Sequence, residues 1–385
     1  MRMQSRVSEC VLTKCVVIFL VSALVPVSSN AQTFGEFVPV TDVMLQEPSP
    51  DDWLMWRRTF DSWGYSPLDQ ITRDNVGTLR MVWSRGLTAG YQSGTPLAYG
   101  GVLYMPNPND VIQAIDGGTG DLIWEHRREV PEDVNDYVFA GLSTNNRNIA
   151  IYEDLIVDTS VDDHVFALSA VTGQMVWETE VLDYRVNPAT QGSGPIVANG
   201  LVISGRSCTP RGGPEACVVT AHDASTGREV WRRRLIPAPG EPGDESWGGV
   251  PYEDRKHVGA WMVPSFDSAL NLIYIGTSVT SPAPKFMLGG ADMQHLYHNS
   301  TLALDADTGE IVWFYQHLND HWDLDHPFER LLVDTAVSPD AAAVSWINPG
   351  LRVGETRQVL TGIPGKTGIV YTLDRATGEF LWATP

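Results

Sequence analysis

Positive charge is scarce in this chain. It carries 26 lysines and arginines against 47 acidic residues, a formal charge of −21, and that balance excludes the basic face a nucleic-acid partner requires. Lysine is the rarer cation: beyond residue 31 only Lys256, Lys285 and Lys366 occur, so a lysine inside a functional motif stands out. Cysteine is also rare, four in all, and none sits in a Cys-x-x-Cys-His haem-attachment motif. No segment sustains helical periodicity, which argues against a mainly helical fold.

What is present begins with a leader. Residues 1–31 carry Arg2, Arg6 and Lys14, an apolar run from Cys15 to Val27, and the small residues Ser29-Asn30-Ala31 before Gln32, the pattern of a secretory signal peptide. The apolar run, about 13 residues, is short of the roughly 20 that span a bilayer. Cleavage would remove three positive charges and Glu9, taking −21 to about −23. Cys10 and Cys15 would leave with the leader, so Cys208 and Cys217 remain as an even pair in an exported chain and are expected to form a disulfide. No cysteine follows the cleavage site, so no lipoprotein anchor is signalled. The expected organisation is a signal peptide over 1–31, a linker over 32–52 and a repeat domain over 53–385.

One pattern recurs five times: AIDGGTGDLIW ending at Trp124, ALSAVTGQMVW at Trp177, AHDASTGREVW at Trp231, ALDADTGEIVW at Trp313 and TLDRATGEFLW at Trp382. Each reads as a strand, a Thr-Gly turn whose glycine can take positive φ, and a second strand whose tryptophan can dock on a neighbouring unit. Strand-like runs such as GVLYMP, DLIVDTS, GLVISG and NLIYIGTS lie between them. The tryptophans are spaced by 53, 54, 82 and 69 residues, longer than a four-stranded propeller blade needs, so insertions are expected, chiefly between Trp231 and Trp313. A further unit is expected around Trp83 in LRMVWSRG, giving an all-β propeller of about six blades or part-blades.

From about Trp56 to the last residue, these repeats resemble those of the eight-bladed quinoprotein alcohol dehydrogenases, which use pyrroloquinoline quinone (PQQ). The chain stops at FLWATP where that family continues through further blades, so it is expected to be a fragment. The resemblance implies a site. In HLNDHWDLDHP, residues 317–327, the Trp-Asp pair maps the catalytic base onto Asp323, a carboxylate able to take the proton of a substrate hydroxyl. Asp325 falls where the lanthanide-using branch places an extra acid, and a hard cation favours several oxygen ligands. His317, His321 and His326 flank these acids and receive no role. Trp261, in HVGAWMVPSFD, maps onto the indole beneath the quinone ring. Lys366, in IPGKTGIVYTLDR, maps onto the cation that donates to the quinone oxygens. Arg147, in TNNRNIAIY, and Ser160 map onto donors to the cofactor carboxylates.

Several family features are missing. The adjacent-cysteine disulfide would fall near Gly141 and Leu142, a glutamate gives way around Ser93, and the asparagine metal ligand becomes Val279, which cannot ligate. The glutamate metal ligand is assigned to Glu215, in a loop that Cys208 and Cys217 would brace. Either the chain has its own metal shell around Asp323, Asp325 and Glu215, or the site has decayed. The expected function is an exported, periplasmic dehydrogenase that oxidises an alcohol, polyol or sugar with PQQ and a calcium or lanthanide ion, passing electrons to a cytochrome c. The competing reading is a non-catalytic propeller scaffold for protein partners in the cell envelope, which needs the docking tryptophans but not Trp261, Asp323 and Lys366 together.

Overall fold

The repeats fold as hairpins whose turn is built by one polar side chain. In the computed structural model, which describes residues 36–138, 145–281, 285–288, 292–319 and 322–385, Asp116 Oδ1 accepts the N–H groups of Gly118 at 2.8 Å and Thr119 at 2.9 Å. Asp223, Asp305 and Asp374 cap their turns in the same way, and Ser169 does so in the second repeat. The expected leader, Gly141, Leu142 and His321 lie outside the described residues.

Each hairpin supplies the third and fourth strands of a four-stranded antiparallel sheet. The first blade holds β1 (Leu97–Tyr99), β2 (Val102–Asn107), β3 (Val111–Asp116) and β4 (Leu122–Arg127). The second holds β5 (Ala150–Tyr152), β6 (Leu155–Thr159), β7 (His164–Ser169) and β8 (Met175–Glu180). In the third, β10 (Ile196–Ala198), β11 (Leu201–Ser204), β13 (Val218–Asp223) and β14 (Glu229–Arg234) pair in that order, while β9 (Ala189–Thr190) and β12 (Ser207–Cys208) form a separate ribbon. The fourth holds β15 (Ser265–Asp267), β16 (Leu272–Gly276), β17 (Ser300–Asp305) and β18 (Ile311–Gln316). The fifth holds β19 (Leu331–Ala336), β20 (Thr356–Gly362), β21 (Val370–Asp374) and β22 (Phe380–Thr384). The fold is a β-propeller.

Tryptophan docking joins the blades. The indole N–H of Trp124 donates to Ala170 O at 3.0 Å, Trp177 to Ala224 O at 3.0 Å, Trp231 to Ala306 O at 2.9 Å and Trp313 to Arg375 O at 3.2 Å. Each ring lies on the glycine of the next blade's turn. A Cβ on Gly309, whose φ is 68°, would sit 2.4 Å from Trp231, so only glycine meets both the conformation and the approach. Trp124, Trp231 and Trp313 are buried; Trp177 and Trp382 are half-buried. The unit expected at Trp83 docks on the first blade in the same way, with its indole N–H on Gly117 O at 3.0 Å, but it forms no strand. Five complete blades among the described residues, plus this one docked segment, make up the expected six blades or part-blades.

The described part of the expected linker is also ordered. It contains the helix α1 (Asp42–Gln46) and an antiparallel bridge between Val40 and Glu153. Beyond it, Trp53 pairs with Ala98 of β1, the Phe60 carbonyl accepts from Phe266 N, and the Asp61 carbonyl accepts from Leu332 N at 3.0 Å. This strap ties the first strands of blades one, four and five.

Candidate functional site

Because successive strands reverse direction, the connections between blades and the loops from second to third strand share one end of the propeller, opposite the Thr-Gly turns. At that end a cavity of about 530 Å³ opens, lined by Arg147, Thr190, Gly192, Ser207, Thr209, Pro210, His257, Trp261, Asp323, Asp325 and Lys366. Its size suits a small cofactor or ligand. Residues 219 positions apart in the chain, Arg147 and Lys366, meet there because their blades pack around one axis.

Lys366 is the centre of its charge. The ammonium lies 2.6 Å from Asp323 Oδ1 and 3.2 Å from Asp325 Oδ2. Burial by itself would lower its pKa, but the hydrogen bonds and charges of the two carboxylates outweigh burial and hold it above the usual lysine value. The acids differ in setting: the Asp323 side chain is 81% exposed and that of Asp325 9%. Asp323 adopts φ of 62°, a left-handed conformation that costs an aspartate little, and that turns its carboxylate toward Lys366. Asp325 also accepts the Val279 N–H at 3.3 Å.

The base of the acidic loop is closed by its histidines. His317 and His326 stack with centroids 5.1 Å apart and planes within 6°, and Thr301 Oγ1 bonds both His317 Nε2 at 2.7 Å and Arg330 Nε at 2.9 Å. Burial, and then the Arg330 charge, pull His326 down to about 4; burial also pulls His317 down strongly. Both rings are neutral at neutral pH.

Trp261 meets Phe328 edge to face at 5.4 Å, and the Arg147 guanidinium lies 5.6 Å from its ring centroid. Arg147 donates to Gly192 O at 2.9 Å and has no carboxylate partner among the described residues. Burial lowers its pKa below the ordinary arginine value. A half-buried guanidinium with no carboxylate partner among the described residues, beside a flat indole, fits a planar ligand that carries carboxylates.

Four of the site residues expected from the sequence, besides Asp325, thus surround one cavity: Trp261, Arg147, Asp323 and Lys366. Two do not reach it. Ser160 is buried between the first two blades, its hydroxyl engaged by Asp110, Asp162 and Arg128. Glu215 is held outside by Arg234 at 3.1 Å and by the Tyr252 hydroxyl at 2.8 Å. The Cys208–Cys217 disulfide is formed, and what its loop brings to the cavity is Ser207, Thr209 and Pro210 instead of Glu215. His257 was also missed, although it lies four residues before Trp261; burial lowers its pKa, opposed by Asp325 and Asp323. A metal finds a short donor set here: among the described residues no three His, Cys, Asp or Glu side chains lie close enough to share an ion. The two carboxylates present are already paired with Lys366.

The fold and this cavity define a quinoprotein-type propeller, and comparison with known proteins agrees. The profile of the PQQ-dependent glucose/ethanol/alcohol dehydrogenase β-propeller domain matches residues 53–385, so the chain belongs to that family. It is 32% identical over 359 residues to the quinohemoprotein alcohol dehydrogenase ADH-IIG of Pseudomonas putida, covering 89% of this chain and 46% of that protein. It is 30% identical to the dehydrogenase subunit of a quinone alcohol dehydrogenase of Komagataeibacter europaeus, covering 88% and 46%. Among solved structures, the Pseudomonas putida ADH-IIG enzyme superimposes with a TM-score of 0.77 at 30% identity over 91% of this chain and 50% of that one. A europium-containing methanol dehydrogenase superimposes with a TM-score of 0.74 at 25% identity, covering 89% and 59%. The chain spans about half the length of the curated relatives it matches.

Proposed function

We propose that this chain forms the cofactor-binding part of an exported PQQ-dependent dehydrogenase that oxidises an alcohol, polyol or sugar and passes electrons to a cytochrome c. The observation that carries the reading is the convergence of Trp261, Arg147, Lys366 and Asp323 on one cavity from three connections between blades and one loop within the fifth. A protein-binding scaffold would need the docked tryptophans alone.

PQQ, when bound, supplies a two-electron acceptor for the hydrogen leaving the substrate carbon. Trp261 would give its ring a flat apolar face, Arg147 would pair with its carboxylates, and Lys366 would offer a positive charge to its oxygens. Asp323, the exposed carboxylate, accepts the substrate hydroxyl proton at its free oxygen while Lys366 holds the other. The leader over 1–31 and the acidic surface fit export to the periplasm. The calcium or lanthanide ion expected as Lewis acid is supported by the europium-containing relative, but the described residues of this cavity offer too few donors to hold it.

In the PQQ-loaded full-length protein, Asp323→Asn should lower the rate of dye-coupled alcohol oxidation by about 10²- to 10⁴-fold with quinone binding retained. Near-full activity in steady-state kinetics would overturn the assignment of the base.

A further inference from the structure

We propose, resting on the quinone reading above, that the ammonium of Lys366 is the resident cation of this cavity and that the chain holds its carboxylates without a bound metal ion. The bonds from Nζ to Asp323 Oδ1 and Asp325 Oδ2 place one positive charge between the two carboxylates that line the cavity among the described residues. That is the position where an ion bridging them would have to lie.

The lysine cannot easily withdraw. Its backbone N–H donates to Asp325 O at 3.0 Å, and the preceding Gly365 packs so closely that a Cβ there would lie 2.4 Å from the His326 ring and 2.6 Å from Asp325 O. The backbones of the Lys366 and Asp325 loops are therefore tied together, which keeps both acids within reach of the ammonium. Asp325 offers an incoming ion little else: Oδ2 accepts from Lys366 and Oδ1 from the Val279 N–H.

The remaining donors are wrong in kind or place. Val279 turns an N–H into the site, a group that repels a cation and attracts a carboxylate. Glu215, the third acid expected from the sequence, is occupied by Arg234 and Tyr252. A calcium ion takes six to eight oxygens, and two carboxylates already neutralised in part by an ammonium fall well short. A divalent or trivalent ion would also have to sit beside Lys366 and be repelled by it. Lys366 already performs one task of a metal, holding the Asp323 carboxylate in place.

The test uses the full-length protein, quinone-loaded and quinone-free, after exhaustive chelation. Metal content is read by mass spectrometry, quinone by its absorbance, and cation binding by the shift in Tm on adding calcium or lanthanum chloride. The proposal expects no stoichiometric metal, retained quinone, and no rise in Tm with either ion. Lys366→Met frees both carboxylates and should create a cation-dependent rise in Tm, whereas Lys366→Arg should stay insensitive. One metal ion per chain in the wild type, or a wild-type Tm that rises with calcium or lanthanum, would overturn it. If Lys366→Met fails to fold, the metal content and Tm response of the wild type and Lys366→Arg still decide. Failure to bind quinone at all would instead count against the function proposed above, and the metal measurements on the quinone-free protein remain valid.

Discussion

Arg147 shows what one side chain can commit to. Its guanidinium is held against Trp261 and Gly192 O without a carboxylate partner among the described residues, an arrangement that costs stability unless a ligand supplies the anion. Arg147→Met should therefore weaken quinone binding roughly 10- to 100-fold, the loss of one or two charge-assisted hydrogen bonds. An unchanged dissociation constant in an absorbance titration would remove Arg147 from the site. His326 makes a second prediction at this scale. Its pKa is about 4 in the native cavity base, from burial first and Arg330 second, and about 6.5 in an unfolded chain. Between those values the unfolded state binds the extra proton, so stability rises with pH across the window and is lost on acidification. His326→Phe should remove roughly 3 kcal/mol of that acid sensitivity. Asp110, raised to about 6 by burial, acts with the opposite sign over the same range. The quantity to measure is thus the difference in urea-unfolding free energy between wild type and variant at pH 4.5 and 7; equal slopes would refute the role given to His326.

At the scale of elements, the unit of cohesion is a pair in neighbouring blades: a tryptophan on one fourth strand and a glycine in the next turn. Trp231 and Gly309 are such a pair. Trp231→Ala should cost about 3–5 kcal/mol by emptying a buried site, and Gly309→Ala should cost more than 1 kcal/mol through its positive φ and the clash. Since both break one contact, the double variant should lose less than the sum. Additive losses in a denaturation cycle would mean that the docking is not one interaction. The same repeated hairpin carries a register shift one to two residues before each turn aspartate or serine, at Ala114/Ile115, Ala167/Leu168, Ala221/His222, Ala303/Leu304 and Thr372/Leu373. A small residue thereby stands opposite each tryptophan in four blades, which lets the ring turn out toward its neighbour.

Across the whole molecule, the cavity draws its walls from blades two to five, so an occupant joins sheets that otherwise meet through the tryptophan docks. The strap over residues 53–63 adds a second tie, with Arg57 on Glu329 at 2.6 Å and Trp63 Nε1 on Leu332 O at 2.7 Å. Quinone at a hundredfold excess over its dissociation constant should stabilise the protein by about 2.7 kcal/mol, visible as a Tm rise of a few degrees. No shift at saturation by absorbance would mean that the quinone does not bind the folded chain in preference to the unfolded one.

The architecture was legible in the chain because a propeller blade is a local object: the Asp-x-x-Thr-Gly turn, the strand alternation and the tryptophan all lie within eleven residues. Trp261, Asp323, Arg147 and Lys366 could be singled out only because the short segments around them resemble those of the quinoprotein family, and all four line the cavity. What local sequence could not show is which side chains meet. Ser160 and Glu215 have suitable chemistry, but neighbouring arginines claim both, while His257, Ser207 and Thr209 line the cavity without any motif. Only the tertiary structure decided that Lys366 stands between Asp323 and Asp325, because that contact spans 43 residues and exists only where blade five closes over the loop that leaves blade four.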